Sequence, residues 1–353
     1  MRDQQTMPRR LIARQRVGAA PGASGLGTLE PGVAIARCGH PRSRGLLIQG
    51  LLGVGLLAAA SLAQAANEVD AAAAPTIAPT SASPSAAPRF QIEASVTHDD
   101  NLTRGRSAAA KRSDQAYAVQ LSRDASFTIS PTTRLTLSGS VGGEAFGRYD
   151  KLGRVFGEGQ AAVEYRASGG FSAPTFGLFA RATGDAYRST LRSGHRYAVG
   201  ATVGAALTDR INVLGTLAYD GRHARSAVFT GRSRSARLNL DYAVSETDTV
   251  YLAGDYRRGD TTATGLASLE NIDVAKVFVA DDAFAADKFV SYRIEARTLV
   301  AVLGYNHGFS PRASLDLSWR HAVATPTLAL PFATDVPNRY VANQLALSVL
   351  WRF

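Results

Sequence analysis

The stretch NQLALSVLWRF, residues 343–353, decides the fold. Leu345, Leu347, Val349, Trp351 and Phe353 share one face of a period-2 pattern. Gln344, Ala346, Ser348 and Arg352 share the other, with Leu350 as the exception. Side chains that alternate in this way belong to a β-strand whose two faces meet different surroundings. A soluble domain usually ends in a polar, frayed tail. A strand that keeps its apolar face up to Phe353 is expected to close a sheet and to present that face to lipid.

The same rhythm runs upstream through residues 90–353. Phe90, Ile92, Ala94 and Val96 alternate with Gln91, Glu93, Ser95 and Thr97. Leu135, Leu137 and Val141 alternate with Thr136, Ser138 and Glu144, and Leu315, Leu317 and Trp319 with Ser314, Asp316 and Ser318. Such segments of about 10–14 residues are separated by turn signals, with no convincing amphipathic helix among them. Connections near 130–133, 168–173, 208–210, 245–248 and 310–312 are short. Those near 98–115, 149–154, 188–195, 223–232, 260–290 and 324–338 are mostly longer. The expectation is an all-β fold, a single transmembrane antiparallel up-and-down barrel of about twelve strands over residues 90–353, with both ends at its short-turn, periplasmic side. Two aromatic bands fit this plan: Tyr149, Tyr187, Tyr219, Tyr256, Tyr292 and Tyr340 beside long loops, and Phe127, Tyr165, Phe176, Tyr242, Phe309, Trp351 and Phe353 beside short turns.

The net charge of +10 is uneven. Residues 1–65 carry eight Arg against Asp3 and Glu30, 8 − 2 = +6, and hold Cys38, Met1 and Met7. The remainder has neither Cys nor Met, which excludes disulfides, thiol catalysis and cysteine metal sites there. Arg37, Arg42 and Arg44 precede the apolar run of residues 46–62, followed by Ala63-Gln64-Ala65. This pattern reads as a signal peptide within a 1–65 leader, functional from about residue 33 and cleaved after Ala65. Residues 66–89, rich in Ala, Pro and Ser, read as a disordered periplasmic linker.

The closing LSVLWRF resembles the last-strand signal of Gram-negative outer-membrane β-barrel proteins, with Leu347, Val349, Trp351 and Phe353 at the matching positions. That resemblance implies an outer-membrane location and the barrel-assembly machinery as a partner. A second resemblance lies in THDDNLTRG, Thr97–Gly105. Its Asp-Asp-Asn-x-x-Arg at the end of the first strand is similar to the β-barrel porins found with exopolysaccharide operons, which implies transport or export.

The expected lumen face carries charges of both signs: Glu93, Glu144, Glu164, Arg166, Arg181, Arg237, Asp241, Asp255, Arg257, Arg293, Glu295 and Arg297. They can line a hydrated path or pair across it and fill it. The basic stretches 104–112 and 222–234 suit lipopolysaccharide phosphates or anionic solutes. No motif or aromatic platform accompanies them, so nucleic acid is not an expected partner. The connection at 260–290, which holds NIDVAKVFVADDAF, either folds into the lumen as a constriction or extends two strands above the membrane.

The leading functional reading is a porin-like channel or exporter for a hydrophilic, anionic solute or saccharide. The second is an outer-membrane hydrolase acting on lipid or lipopolysaccharide. His98 and Asp99 are the weak catalytic candidates, and no His-x-Ser pair is present. The third is a non-transporting barrel that anchors or assists envelope assembly. No cofactor or metal site is expected.

Overall fold

The computed structural model describes residues 89–167, 169–328 and 338–353. The leader and residues 66–88 of the linker assigned above lie outside them, while Arg89 already belongs to the first strand. Thirteen strands form one antiparallel sheet. They are β1 (Arg89–Asp99), β2 (Asp114–Ser130), β3 (Thr133–Phe146), β4 (Arg154–Arg166), β5 (Thr175–Tyr187), β6 (Gly194–Ala206), β7 (Ile211–Ala224), β8 (Gly231–Ala243), β9 (Asp248–Gly265), β10 (Val277–Ala280), β11 (Val290–Ser310), β12 (Ala313–Pro326) and β13 (Tyr340–Arg352). β10 is a short flap beside β11, and β9 pairs directly with β11. The other twelve close into an up-and-down barrel through β13 and β1.

Closure answers the question raised by the final strand. Ile92 opposes Trp351 and Val96 opposes Leu347. Phe90 and Phe353 exchange backbone hydrogen bonds at 3.1 and 3.0 Å, and their rings stack at 6.0 Å. The ring thus leaves no unpaired edge, the only way a sheet can satisfy its backbone inside a membrane.

The two faces of the wall separate cleanly. Leu178 is 67% exposed, Leu217 64% and Leu299 59%, all on the outside. A continuous apolar surface of this extent needs a non-aqueous neighbour. Phe90, Phe127, Tyr165, Phe176, Tyr242, Phe309, Trp351 and Phe353 also face outward at the short-turn end. The band at the other end is thinner than expected. Tyr219 and Tyr256 face outward and Tyr117 and Tyr197 join them. Tyr149, Tyr292 and Tyr340 are buried inside, in hydrophobic clusters of the cap and upper lumen.

Inside the barrel several rings lie back against the wall. Phe179 covers Gly200, whose Cβ would sit 2.6 Å from the ring. Tyr251 covers Gly304, where a Cβ would meet the ring at 2.0 Å. Only glycine admits a ring from the neighbouring strand at that distance, a packing that pins register. The Tyr251 hydroxyl donates to Asp316 at 2.9 Å.

Gly259 marks where the wall opens. Its φ is +154°, and a Cβ there would lie 2.3 Å from the Arg232 carbonyl oxygen and 2.5 Å from the Ser233 Cα. Pairing of β8 with β9 ends at this residue, while β9 continues with β11 up to Gly265–Val290. The freed ribbon, with α1 (Leu269–Asp273), β10 and the turn that follows, forms a tongue that packs among the long loops.

Candidate functional site

Alternation fixes where the polar residues point. Glu93, Glu144, Arg181, Asp255 and Arg257 are inward and buried. Glu164, Arg237 and Asp241 are inward and half-buried. Arg166 lies on the inner face at the short-turn rim and donates to the Gly170 carbonyl at 3.0 Å. Glu295 and Arg297 must be corrected, and Arg293 starts from the same face but turns its guanidinium to the Thr230 carbonyl and the cavity described below. They share a face of β11 with the outward Leu299 and Leu303, while Ile294, Ala296, Thr298 and Val300 face inward and are buried. The reason is local packing: Tyr292, Ile294 and Ala296 pack against Val274 of the tongue and against Tyr340. The rule that apolar residues face lipid reverses where the chain fills its own lumen.

Sequence reasoning overlooked Arg134, Arg154, Arg222 and Arg320, which parity also places on the inner face. Extending each strand's alternation by one or two residues would have found them. Arg154 is the hub of the resulting network. It meets Glu144 at 2.9 Å and Asp185 at 2.7 Å, and Asp185 also accepts from Arg196 at 2.7 Å. Asp255 is held by Arg237 at 3.0 Å and by Arg257 at 2.9 Å. Buried charges survive when paired in this way.

Asp220 departs from that pattern. Neither of its carboxylate oxygens accepts a hydrogen bond among the described residues, although both are buried. It faces a cavity of about 90 Å³ in the upper half of the β5–β9 wall. Arg181, Arg196, Arg222 and Arg257 line this cavity from the strands, and Arg232, Arg293 and Asp260 complete its charged lining. Six arginines against two aspartates give 6 − 2 = +4. A space with this surplus favours anions, and Asp220 offers an acceptor to hydroxyl groups.

The tongue lies directly above. Arg192, in the β5–β6 loop, donates two hydrogen bonds to Asp281 of the tongue at 2.7 and 2.6 Å. The Arg192 side chain is 1% exposed and that of Asp281 0%. Ser291 and the Ala283 backbone N–H also donate to Asp281, at 2.5 and 2.9 Å. Burial pushes this carboxyl up, but the hydrogen bonds and charge of Arg192 outweigh it and hold the group below the ordinary carboxylate value. Asp282 accepts from Ser189 at 2.6 Å. Asp287 meets Arg112 of the β1–β2 loop at 3.0 Å and Tyr149 of the β3–β4 loop at 3.2 Å. Asn271 accepts from Arg106 at 2.9 Å. On the β7–β8 loop, Val228 and Phe229 pack with Val277 and Val279 of β10.

The Asp-Asp-Asn-x-x-Arg stretch forms a clasp on the closing seam. Asp99 accepts from Arg104 at 2.9 and 3.0 Å and from Gln344 of β13 at 2.8 Å. Asp100 accepts from the backbone and side chain of Asn343 at 2.7 and 2.8 Å. Asn101 donates to Val341 at 2.7 Å and to Gly105 at 2.9 Å, with Arg104 in the left-handed region at φ 57°.

This arrangement removes the proposed catalytic pair. His98 faces outward and Asp99 inward, on opposite sides of the wall, and Asp99 is committed to Arg104. At the other rim Asp248 accepts from His307 at 2.8 Å and from Ser245 at 2.5 Å, and also bonds Tyr305. The serine is therefore bonded to the carboxylate and not to the imidazole, and no activated nucleophile results. Among the described residues no group of three or more metal-binding side chains occurs.

No family model and no curated protein sequence matches the chain. Solved structures do. The COG4313 outer membrane channel from Pseudomonas putida F1 is similar over 77% of this chain and 97% of its own, at 14% identity and a TM-score of 0.50. The KdgM porin in complex with disordered oligogalacturonate covers 74% and 99%, at 11% identity and a TM-score of 0.39. The NanC porin covers 74% and 98%, at 11% identity and 0.36. At such identities the likeness speaks for the fold alone. The chain has the fold of the outer-membrane β-barrel channels, a closed barrel of twelve antiparallel strands.

Proposed function

We propose that the chain is an outer-membrane channel for a hydrophilic, anionic solute, acidic saccharides included, whose outer mouth is gated by the tongue. The observation that carries this reading is the cavity beneath the tongue, with its surplus of four positive charges and the unsatisfied Asp220 carboxylate. Guanidinium forks bind carboxylates, and a carboxylate without donors binds sugar hydroxyls. In this reading the short turns and both chain ends face the periplasm, the long loops face outward, and the barrel-assembly machinery recognises the closing strand. Export of an exopolysaccharide rests on the Thr97–Gly105 resemblance.

Planar-bilayer recording of the refolded barrel under a salt gradient tests the proposal. The wild type is expected to conduct weakly and to prefer anions. Deletion of residues 265–288 is expected to raise conductance severalfold. Combined Arg181→Glu and Arg222→Glu substitutions in the deletion background are expected to abolish the anion preference, because they bring the lining charge from +4 to 0. Absence of conductance after the deletion refutes the channel, and unchanged selectivity after the double substitution refutes the role of the cavity.

A further inference from the structure

Strand register places three arginines in one row on the outer wall. Arg234 of β8 directly opposes Arg258 of β9, and Arg258 directly opposes Arg297 of β11. Tyr219 flanks the row on β7 and Thr325 on β12. Side chains opposite each other in antiparallel strands stand about 5 Å apart at Cβ, so the three guanidinium groups share a span of roughly 10 Å. All three are exposed, and none has an ion pair or hydrogen bond among the described residues. The nearest acids on the same face, Asp260 and Glu295, are one outward rung higher and are already held by Lys276 at 2.8 and 3.2 Å. Like charges directly opposite one another repel, so the row favours an external anion.

Its height identifies that anion. The next outward rung below is Ala236, Tyr256 and Leu299, with Tyr256 47% and Leu299 59% exposed. The apolar belt therefore stops at the arginine row, on the side of the wall away from the lumen. Groups at that level meet lipid headgroups. Arginine binds phosphate through two parallel N–H donors, which a compact ammonium cannot match.

We propose that Arg234, Arg258 and Arg297 form a binding site for a phosphate-bearing lipid headgroup of the outer leaflet. The site rests on the orientation proposed above, with the long loops outward. It does not require the barrel to conduct.

Native mass spectrometry of the refolded chain tests it, with bis-phosphorylated lipid A as the probe and enzymatically dephosphorylated lipid A as its comparison. The wild type should retain the phosphorylated lipid and release the dephosphorylated one. A cationic side chain at a charged lipid surface contributes enough that each Arg→Gln substitution should weaken retention roughly fivefold, and the triple substitution on the order of a hundredfold. Inorganic phosphate in excess should compete poorly, because it lacks the acyl chains that bring the headgroup to this level. Arg123→Gln, an outward arginine against Phe90 at the opposite rim, should leave retention unchanged. Equal retention by the triple variant overturns the proposal, as does equal retention of the dephosphorylated lipid or full displacement by inorganic phosphate. Bilayer insertion of the same samples shows that each variant is a folded barrel. A barrel that conducts but binds no lipid A sinks this site alone, and one that binds lipid A but does not conduct sinks the channel alone.

Discussion

Replacing Arg192 with Met should unlatch the tongue. In the closed state the Arg192 and Asp281 side chains are 1% and 0% exposed and joined by two hydrogen bonds of 2.7 and 2.6 Å. Removing one member of such a pair strands the other charge in a dry site, at about 3–5 kcal/mol. At about 1.4 kcal/mol per factor of ten, the ratio of closed to open tongue should fall on the order of a hundredfold or more. Asp281→Leu should act more mildly, since Asp282 remains 3.7 Å from the guanidinium. The double variant, Arg192→Met with Asp281→Leu, decides the matter. Two apolar side chains of similar volume fill the same space with no stranded charge, and such replacements are often neutral. Arg192 already lies over the Phe229 ring at 4.3 Å, a neighbour that suits Met. Single-channel recording should therefore show raised open probability in both single variants and near wild-type closure in the double. If the double variant is as open as Arg192→Met, or if neither single variant changes the trace, the latch reasoning is wrong.

Other expectations follow from the same geometry. Because Asp281 is held below its ordinary value of 3.8, its share of closure is complete above that pH and is lost only as the pH falls below it, so open probability should stay flat from neutral down to about pH 5 and rise below about 4. Recordings across that range check the window, and a transition near neutrality would contradict it. Asp99→Ala should take from Arg104 its ion-pair partner and from Gln344 one acceptor, and so loosen the seam between β1 and β13, costing up to about 3–5 kcal/mol and lowering the unfolding temperature in a heat-modifiability assay on gels. Deleting Phe353 should impair assembly in cells while leaving refolding in detergent largely intact, since only one pair of backbone bonds and one stacked ring are lost from the seam. Loss of refolding would show that Phe353 serves stability more than recognition.

Much of the wall was legible because a barrel in lipid imposes one rule on every strand. The face of Leu345, Leu347 and Val349 in β13 could be read from residue type alone, and so could Phe90 as the partner of that strand. β11 escaped because its inner face is apolar too. Ile294 and Ala296 look like lipid-facing residues until the tongue is known to pack on them. The upper tyrosines misled for a related reason: Tyr292 and Tyr340 lie at the right height, but bond to each other inside at 3.4 Å. The cavity was only half visible. Its arginines alternate along single strands, whereas the solitary state of Asp220 depends on which neighbours already hold Asp185 and Asp255. Such choices between strands leave no trace in one strand's periodicity.

The tongue meets four other loops through separate contacts: Asp287 with Arg112 and Tyr149, Asp281 with Arg192, and β10 with Val228 and Phe229. It therefore serves these loops as a keystone serves an arch. Amide hydrogens beside these contacts should exchange with solvent in a single concerted step, because the packing there goes once the shared piece leaves. A macromolecule that grips any one of these loops from outside then works against the whole cap, and its binding energy reaches the mouth of the barrel without touching the lumen.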